Sequence, residues 1–164
     1  MDQEMPKLTL LGRREIEARI VGPLVRAFAE EVGQQKALEI VARTIEGLAR
    51  DAGAEMARGL GETSLEAFSA CLDRWREGGA LEMEILEQTP EALSFDVVRC
   101  RYAEMYRSLG LADLGAHLSC VRDFALVEGF NPDITLTRTQ TLMEGATHCD
   151  FRFRRTKPSG GGDA

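Results

Sequence analysis

No apolar run in this chain approaches the roughly 20 residues of a membrane-spanning helix. The opening stretch MDQEMPKLTLLGRREIEARI lacks the basic segment, apolar segment and cleavage site of a secretory signal. No membrane partner is expected, and the expected location is cytoplasmic. Basic charge is also short: 20 Lys and Arg stand against 27 Asp and Glu, a net charge of -7. Nucleic-acid recognition rests on a basic patch, so neither DNA nor RNA is an expected partner. Paired cysteines are missing too. Cys71, Cys100, Cys120 and Cys149 are spread out without a CxxC, which excludes zinc-ribbon and thioredoxin-type motifs. In a reducing compartment no disulfide framework is expected, and most of these thiols read as small buried hydrophobes. No internal repeat is visible.

What is present suits one soluble domain: 164 residues, 44% apolar and 29% charged. The first half reads as helix. From Arg13 to Glu31, Ile16, Ile20, Leu24 and Phe28 recur at every fourth position as one buried stripe, with a kink or restart expected at Gly22-Pro23. A second helix from about 34 to 58 carries Leu38, Val41, Ile45 and Leu48. Thr63 and Glu66 have capping-box spacing for a third, with Phe68, Leu72 and Trp75 as its stripe. At Ala80 the period changes to two. LEMEILE and LSFDVVRCRY form a hairpin, and a change of parity near Val98 implies a bulge or a strand covered on both sides. A helical stretch from Ala103 to Leu109 and a second through ADLGAHLSCVRDFALVEGF follow, ended by Asn131-Pro132, then two strands, DITLTRTQTL and HCDFRFR. The expected fold is α+β: N-terminal helices packed on one antiparallel sheet of about four strands, with a helical insertion between the strand pairs. Its bounds are 1–157, helical over 1–79 and sheet-containing over 80–157, with a flexible tail at 158–164.

The residues with chemical potential cluster late. Alternation along HCDFRFR sends Cys149, Phe151 and Phe153 to the core, and His148, Asp150, Arg152 and Arg154 to the other face. Cys149 thus reads as a structural thiol. His148 beside Asp150 reads either as an oriented general base or as a solvated pair. In SCVRDF, Cys120 and Asp123 stand three apart on a helix, with Arg122 as a cation for a substrate carboxylate. A thiol near a helix end with a histidine from elsewhere is an arrangement that makes a nucleophile; Cys120 filling space between Leu118 and Phe124 is the alternative. Metal is a rival use: Cys100, Cys120, Cys149 and His148 for zinc, or His148, Asp123 and Asp150 for a harder ion. The short-spaced pairs of a strong metal signal are absent, so neither metal nor cofactor is expected.

The segment from Phe95 to Phe153 resembles the C-terminal half of the L-2-amino-thiazoline-4-carboxylate hydrolase family, whose pattern runs RCxYAExY, LGxxLSCxRDF, GFNPxIxLxRTQTxMxGAxHCDFR. The resemblance implies hydrolytic opening of a small cyclic amidine that carries a carboxylate, with N-carbamoyl-cysteine as product. The motif positions here are Arg99, Cys100, Tyr102, Glu104, Cys120, Arg122, Asp123, Arg138, Glu144, His148, Cys149 and Asp150. Hydrolysis at a C=N carbon needs a nucleophile, a base, an acid and a cation for the carboxylate. Cys120, His148, Asp150 and Asp123 are the catalytic candidates, and Arg122, Arg138, Arg101, Tyr102 and Glu144 the substrate-binding ones. Cys120 and His148 are expected to border one cavity, and at least one of Arg101, Arg122, Arg138 and Arg152 to point into it. The expected partner is a small-molecule substrate; self-association into a homo-oligomer is compatible with the sequence. The readings that compete with a hydrolase are a ligand-binding domain without chemistry and a metal-dependent hydrolase.

Overall fold

The computed structural model describes residues 7–156, so the tail expected at 158–164 lies outside the described residues. Three helices come first. Helix α1 (Leu10–Val32) starts at Thr9, whose hydroxyl accepts from the Gly12 N–H at 3.1 Å. Helix α2 (Gln34–Leu60) follows after Gly33 alone, and α3 (Leu65–Arg76) is capped by Ser64, not by the predicted Thr63. Ser64 Oγ accepts from the Ala67 N–H at 3.0 Å and satisfies one of the free donors of the first turn. Helix α1 runs on through Pro23 without restarting.

The apolar row expected to bury α1 faces outward. Ile20 is 60% and Phe28 58% exposed, while the buried line is Ala18, Gly22 and Val25. The helix has 3.6 residues per turn, so a strict four-residue spacing drifts by about 40° at each step and winds around the cylinder. Small residues at a mean spacing of 3.5 mark the inner face instead, where Leu111 presses against Gly22.

The sheet is antiparallel, in the order β1-β2-β4-β3. Strand β1 (Leu81–Gln88) and β2 (Ala92–Cys100) form the hairpin, β4 (Cys149–Arg155) pairs with β2, and β3 (Ile134–Thr137) lies on the outer edge. The parity change resolves as a bulge. Met83 faces Val97 and Glu82 faces Arg99, so Val98 has no partner and Cys100 returns to the side of Leu93, Phe95 and Val97. Between β2 and β3 lie α4 (Arg101–Ser108), α5 (Ala112–Gly115), a π-helical turn (Ala116–Cys120) and α6 (Arg122–Phe130). The fold is α+β with the helices packed on one face of the sheet. Beyond Thr137 the predicted strand gives way to a 3-10 turn at Leu142–Glu144.

Two apolar cores result. One joins α3, α6 and the sheet through Phe68, Phe95, Phe130, Phe151 and Phe153. The other joins α1, α2 and the α4–α5 region through Val25, Ile45, Tyr106, Leu114 and Leu118. Helix α2 is held against α6 at a crossing that only glycine permits. A Cβ on Gly53 would sit 2.1 Å from the Leu126 carbonyl oxygen, and one on Gly129 would sit 2.0 Å from that of Arg50.

Candidate active site

Between the two cores opens a cavity of about 470 Å³. Each supporting element delivers a side chain for a local reason. The Val98 bulge turns Cys100 inward, where its sulfur accepts from the Ala103 N–H at 3.4 Å and caps α4. Alternation along β4 turns Cys149 inward, and the Leu142 N–H donates to its sulfur at 3.2 Å. The π-turn, closed by the Val121 N–H to the Ala116 carbonyl at 3.0 Å, carries Cys120 to the cavity wall. Such turns recur at functional sites because the extra residue displaces a side chain from the regular helical register. Helix α6 then begins, with Asp123 in its first turn.

Asp123 and Arg138 form the central pair. The Arg138 guanidinium donates to the Asp123 carboxylate and, at 3.2 Å, to the Cys120 carbonyl. It lies 5.0 Å over the Phe124 ring and 5.2 Å over that of Phe151, with 7% of its side chain exposed. Flat aromatic walls suit a guanidinium, which is weakly hydrated and keeps its charge when desolvated. Arg138 points inward because it continues the parity of Ile134 and Leu136 past the end of β3.

A second charged group stands on the same wall. Arg14 from α1 donates to both Glu17 carboxylate oxygens, at 2.9 and 2.8 Å, and Arg122 donates to Glu17 at 3.1 Å and to the Leu118 carbonyl at 2.9 Å. Two guanidiniums thus share one carboxylate, while Arg138 is matched by Asp123, so these five groups together keep one positive charge in excess. Burial and the neighbouring Arg14 charge hold the Arg122 pKa below the ordinary arginine value.

The thiols are poised differently from the expectation of an activated nucleophile. Burial raises all four that line the cavity, Cys71, Cys100, Cys120 and Cys149, with Cys100 at about 11, and the Asp123 charge pushes Cys120 up further. A histidine or helix end lowers a thiol pKa; an apolar wall and a carboxylate do the reverse. Cys120 is therefore a neutral thiol at physiological pH. Asp123 is the group near neutrality: burial pushes its carboxyl from 3.8 up to about 6, against the opposing pull of Arg138.

Cys120, Asp123, Arg122, Arg138 and Tyr102 line the cavity, the tyrosine hydroxyl donating to the Trp75 carbonyl at 3.3 Å. His148 does not join them, which corrects the expectation of a shared Cys120–His148 cavity. It points to the opposite face of β4, 3.8 Å from the Asp96 carboxylate, because it precedes the inward Cys149 by one residue. Asp150, on that outer face too, accepts from the Thr139 and Gln140 N–H groups at 2.9 and 3.0 Å and ties down the turn after β3, instead of orienting His148. Arg152 pairs with Asp96 at 2.8 Å on the same side. Arg101 is exposed and donates to the Gly78 carbonyl at 3.0 Å, and exposed Glu144 accepts from Thr141 Oγ1 at 2.8 Å; neither lines the cavity. Among the described residues no three His, Cys, Asp or Glu side chains are gathered as a metal ion requires. Sequence reasoning missed Arg14 and Glu17, whose i, i+3 pairing looks like any solvated helix face. It also read Trp75 only as part of a buried stripe, whereas it forms half-buried cavity wall.

This α+β domain thus encloses, between its two cores, a carboxylate–arginine pair, a thiol and further arginines on one cavity wall. The chain is a member of the L-2-amino-thiazoline-4-carboxylic acid hydrolase family: the match to the family pattern covers residues 13–153. It therefore takes in the N-terminal helices as well as the segment from Phe95 onward, and with them Arg14. No curated protein matches the chain. No described helix is long and apolar enough to cross a membrane.

Proposed function

We propose that the protein is a hydrolase that opens a small cyclic amidine-like carboxylate of the 2-aminothiazoline-4-carboxylate type, with Asp123 activating water. The observation that carries this reading is the convergence in one cavity of a carboxyl close to neutrality, a buried guanidinium beside it and an excess positive charge, supplied by elements distant in sequence. In a pocket with an apolar wall each of these acts more strongly than it would in water. Arg14 and Arg122 hold the substrate carboxylate, as paired guanidinium groups do through parallel hydrogen bonds. The amidine carbon then lies toward Asp123 and Cys120.

The steps balance with water as the only co-reactant. Asp123 removes a proton from water, and the oxygen adds to the amidine carbon. The C=N electron pair moves to nitrogen, which takes the proton back from Asp123. The carbon–sulfur bond then breaks, its electron pair goes to sulfur, and the hydroxyl proton passes through Asp123 to that sulfur, leaving a carbonyl. Arg138 holds Asp123 in place. The neutral Cys120 thiol is a hydrogen-bond donor at the reacting ring, so no thiolate is needed. The experiment is incubation of the purified protein with 2-aminothiazoline-4-carboxylate, with and without a chelator, following N-carbamoyl-cysteine and free thiol. Turnover in both supports the reading. Turnover lost with chelator points to metal-dependent hydrolysis, and binding without turnover to a ligand-binding domain.

A further inference from the structure

The cavity is too large for the bare ring. A carboxylated aminothiazoline has nine non-hydrogen atoms and fills the space of roughly four to five waters at about 30 Å³ each, whereas the cavity measures about 470 Å³. Volumes of that order bury ligands several times larger. The two ends also differ in character. Cys120 and Met143 lie on the side of the α1–α4 core, while Met56, Trp75, Leu81 and Leu126 lie on the side of the sheet core, and Arg138, stacked 5.2 Å over the Phe151 ring, stands with Asp123 between them. None of these last four is fully buried, although each packs against closed core residues such as Phe68, 6.1 Å from Trp75 between ring centroids. An apolar wall left open beside a close-packed core forgoes contacts that the rest of the domain makes.

We infer that the substrate is a carboxylate whose ring bears an apolar arm of about aromatic size, lodged against Trp75, Met56, Leu81 and Leu126 while the ring sits at Asp123 and Cys120. This rests on the hydrolase reading for the ring and on the cavity alone for the arm. Arg74 and Glu55, the chain neighbours of Trp75 and Met56, are exposed lining residues of the cavity, a charged surround for an otherwise apolar end. With the carboxylate held by Arg14 and Arg122 and the amidine carbon at Asp123, ring position 5 is the carbon left to carry the arm.

Binding and turnover test the two parts separately. Unreactive 2-aminothiazole-4-carboxylate and its 5-phenyl derivative are titrated calorimetrically into the full chain. The phenyl compound should bind about tenfold tighter or more, the scale that one buried apolar group supplies. That ratio should fall toward one in Met56→Glu, and in Trp75→Ala if that variant keeps its cooperative thermal transition. Equal or weaker binding of the phenyl compound, binding of neither, or a ratio that both variants leave intact overturns the inference. The matching thiazolines are then offered as substrates. If the phenyl preference holds in binding but neither ring opens, the hydrolase reading falls and the apolar arm stands. If the bare ring opens and phenyl brings no gain, the arm falls and the hydrolase stands.

Discussion

Replacing Asp123 by asparagine should change how stability depends on pH, in a direction that reveals what the site costs the fold. Burial lifts the Asp123 carboxyl from 3.8 to about 6 even with Arg138 attached. Between those values the folded protein holds a proton that the unfolded chain has released, so stability falls as pH rises through that window. Below about pH 4 both states are protonated and the penalty vanishes; above about pH 6 it is complete, and a displacement of this size amounts to roughly 3 kcal/mol. Asparagine has nearly the same shape and does not titrate. The stability difference, variant minus wild type, should therefore shift in favour of the variant by about 2 to 3 kcal/mol between about pH 4 and 7. Asp113 and Glu104, whose carboxyls are held low by arginine partners, titrate alike in both proteins and cancel in the difference. Urea unfolding at several pH values, with m-values compared, measures it. A difference that moves against the variant as pH rises would refute the reasoning: attraction to Arg138 would then outweigh burial, and Asp123 would be a fixed charge with no proton to exchange near neutrality.

Gly129→Ala places a methyl 2.0 Å from the Arg50 carbonyl oxygen; it should destabilise by about 3 kcal/mol and lower Tm by roughly 6 to 12 °C, seen in a thermal melt. His148→Ala should keep turnover within about threefold of wild type, since a half-exposed residue on the far face of the sheet is a surface change; a large loss in kcat would bring that face into the chemistry. Arg122→Met keeps the stem and removes the charge, so KM for the carboxylate substrate should rise about tenfold or more with kcat little changed, while a neutral ester analogue is unaffected.

The fold class was legible because the change from helical period to period two at Ala80 is a local signal, and the bulge announced itself as a parity slip. The packing face of α1 was not. A search for large apolar residues finds Ile16, Ile20, Leu24 and Phe28, but close approach of helices selects the small Ala18 and Gly22, whose burial leaves no trace in hydropathy. At the site, SCVRDF and the parity of Arg138 drew attention to Cys120, Asp123, Arg122 and Arg138, which the fold brings to the wall of one cavity. The same alternation that buries Cys149 sends His148 away, so linking His148 with Cys120 required a cavity that reached both faces of one sheet. The closed helical layer allows it on one face only. The π-turn that sets Cys120, and the pairing of Arg14 with Arg122 across 108 positions, arise from tertiary packing that no local pattern encodes.

Water activation by Asp123 is tested most directly by the turnover of 2-aminothiazoline-4-carboxylate in Asp123→Asn beside Cys120→Ser. The asparagine variant should lose kcat by about 10² to 10⁴-fold, the usual worth of a general base, and wild-type kcat should rise with pH through about 6. The serine variant should keep activity within about tenfold, because a hydroxyl donates the same hydrogen bond. Abolished turnover in Cys120→Ser with Asp123→Asn still active would contradict the proposal and make the buried thiol the nucleophile.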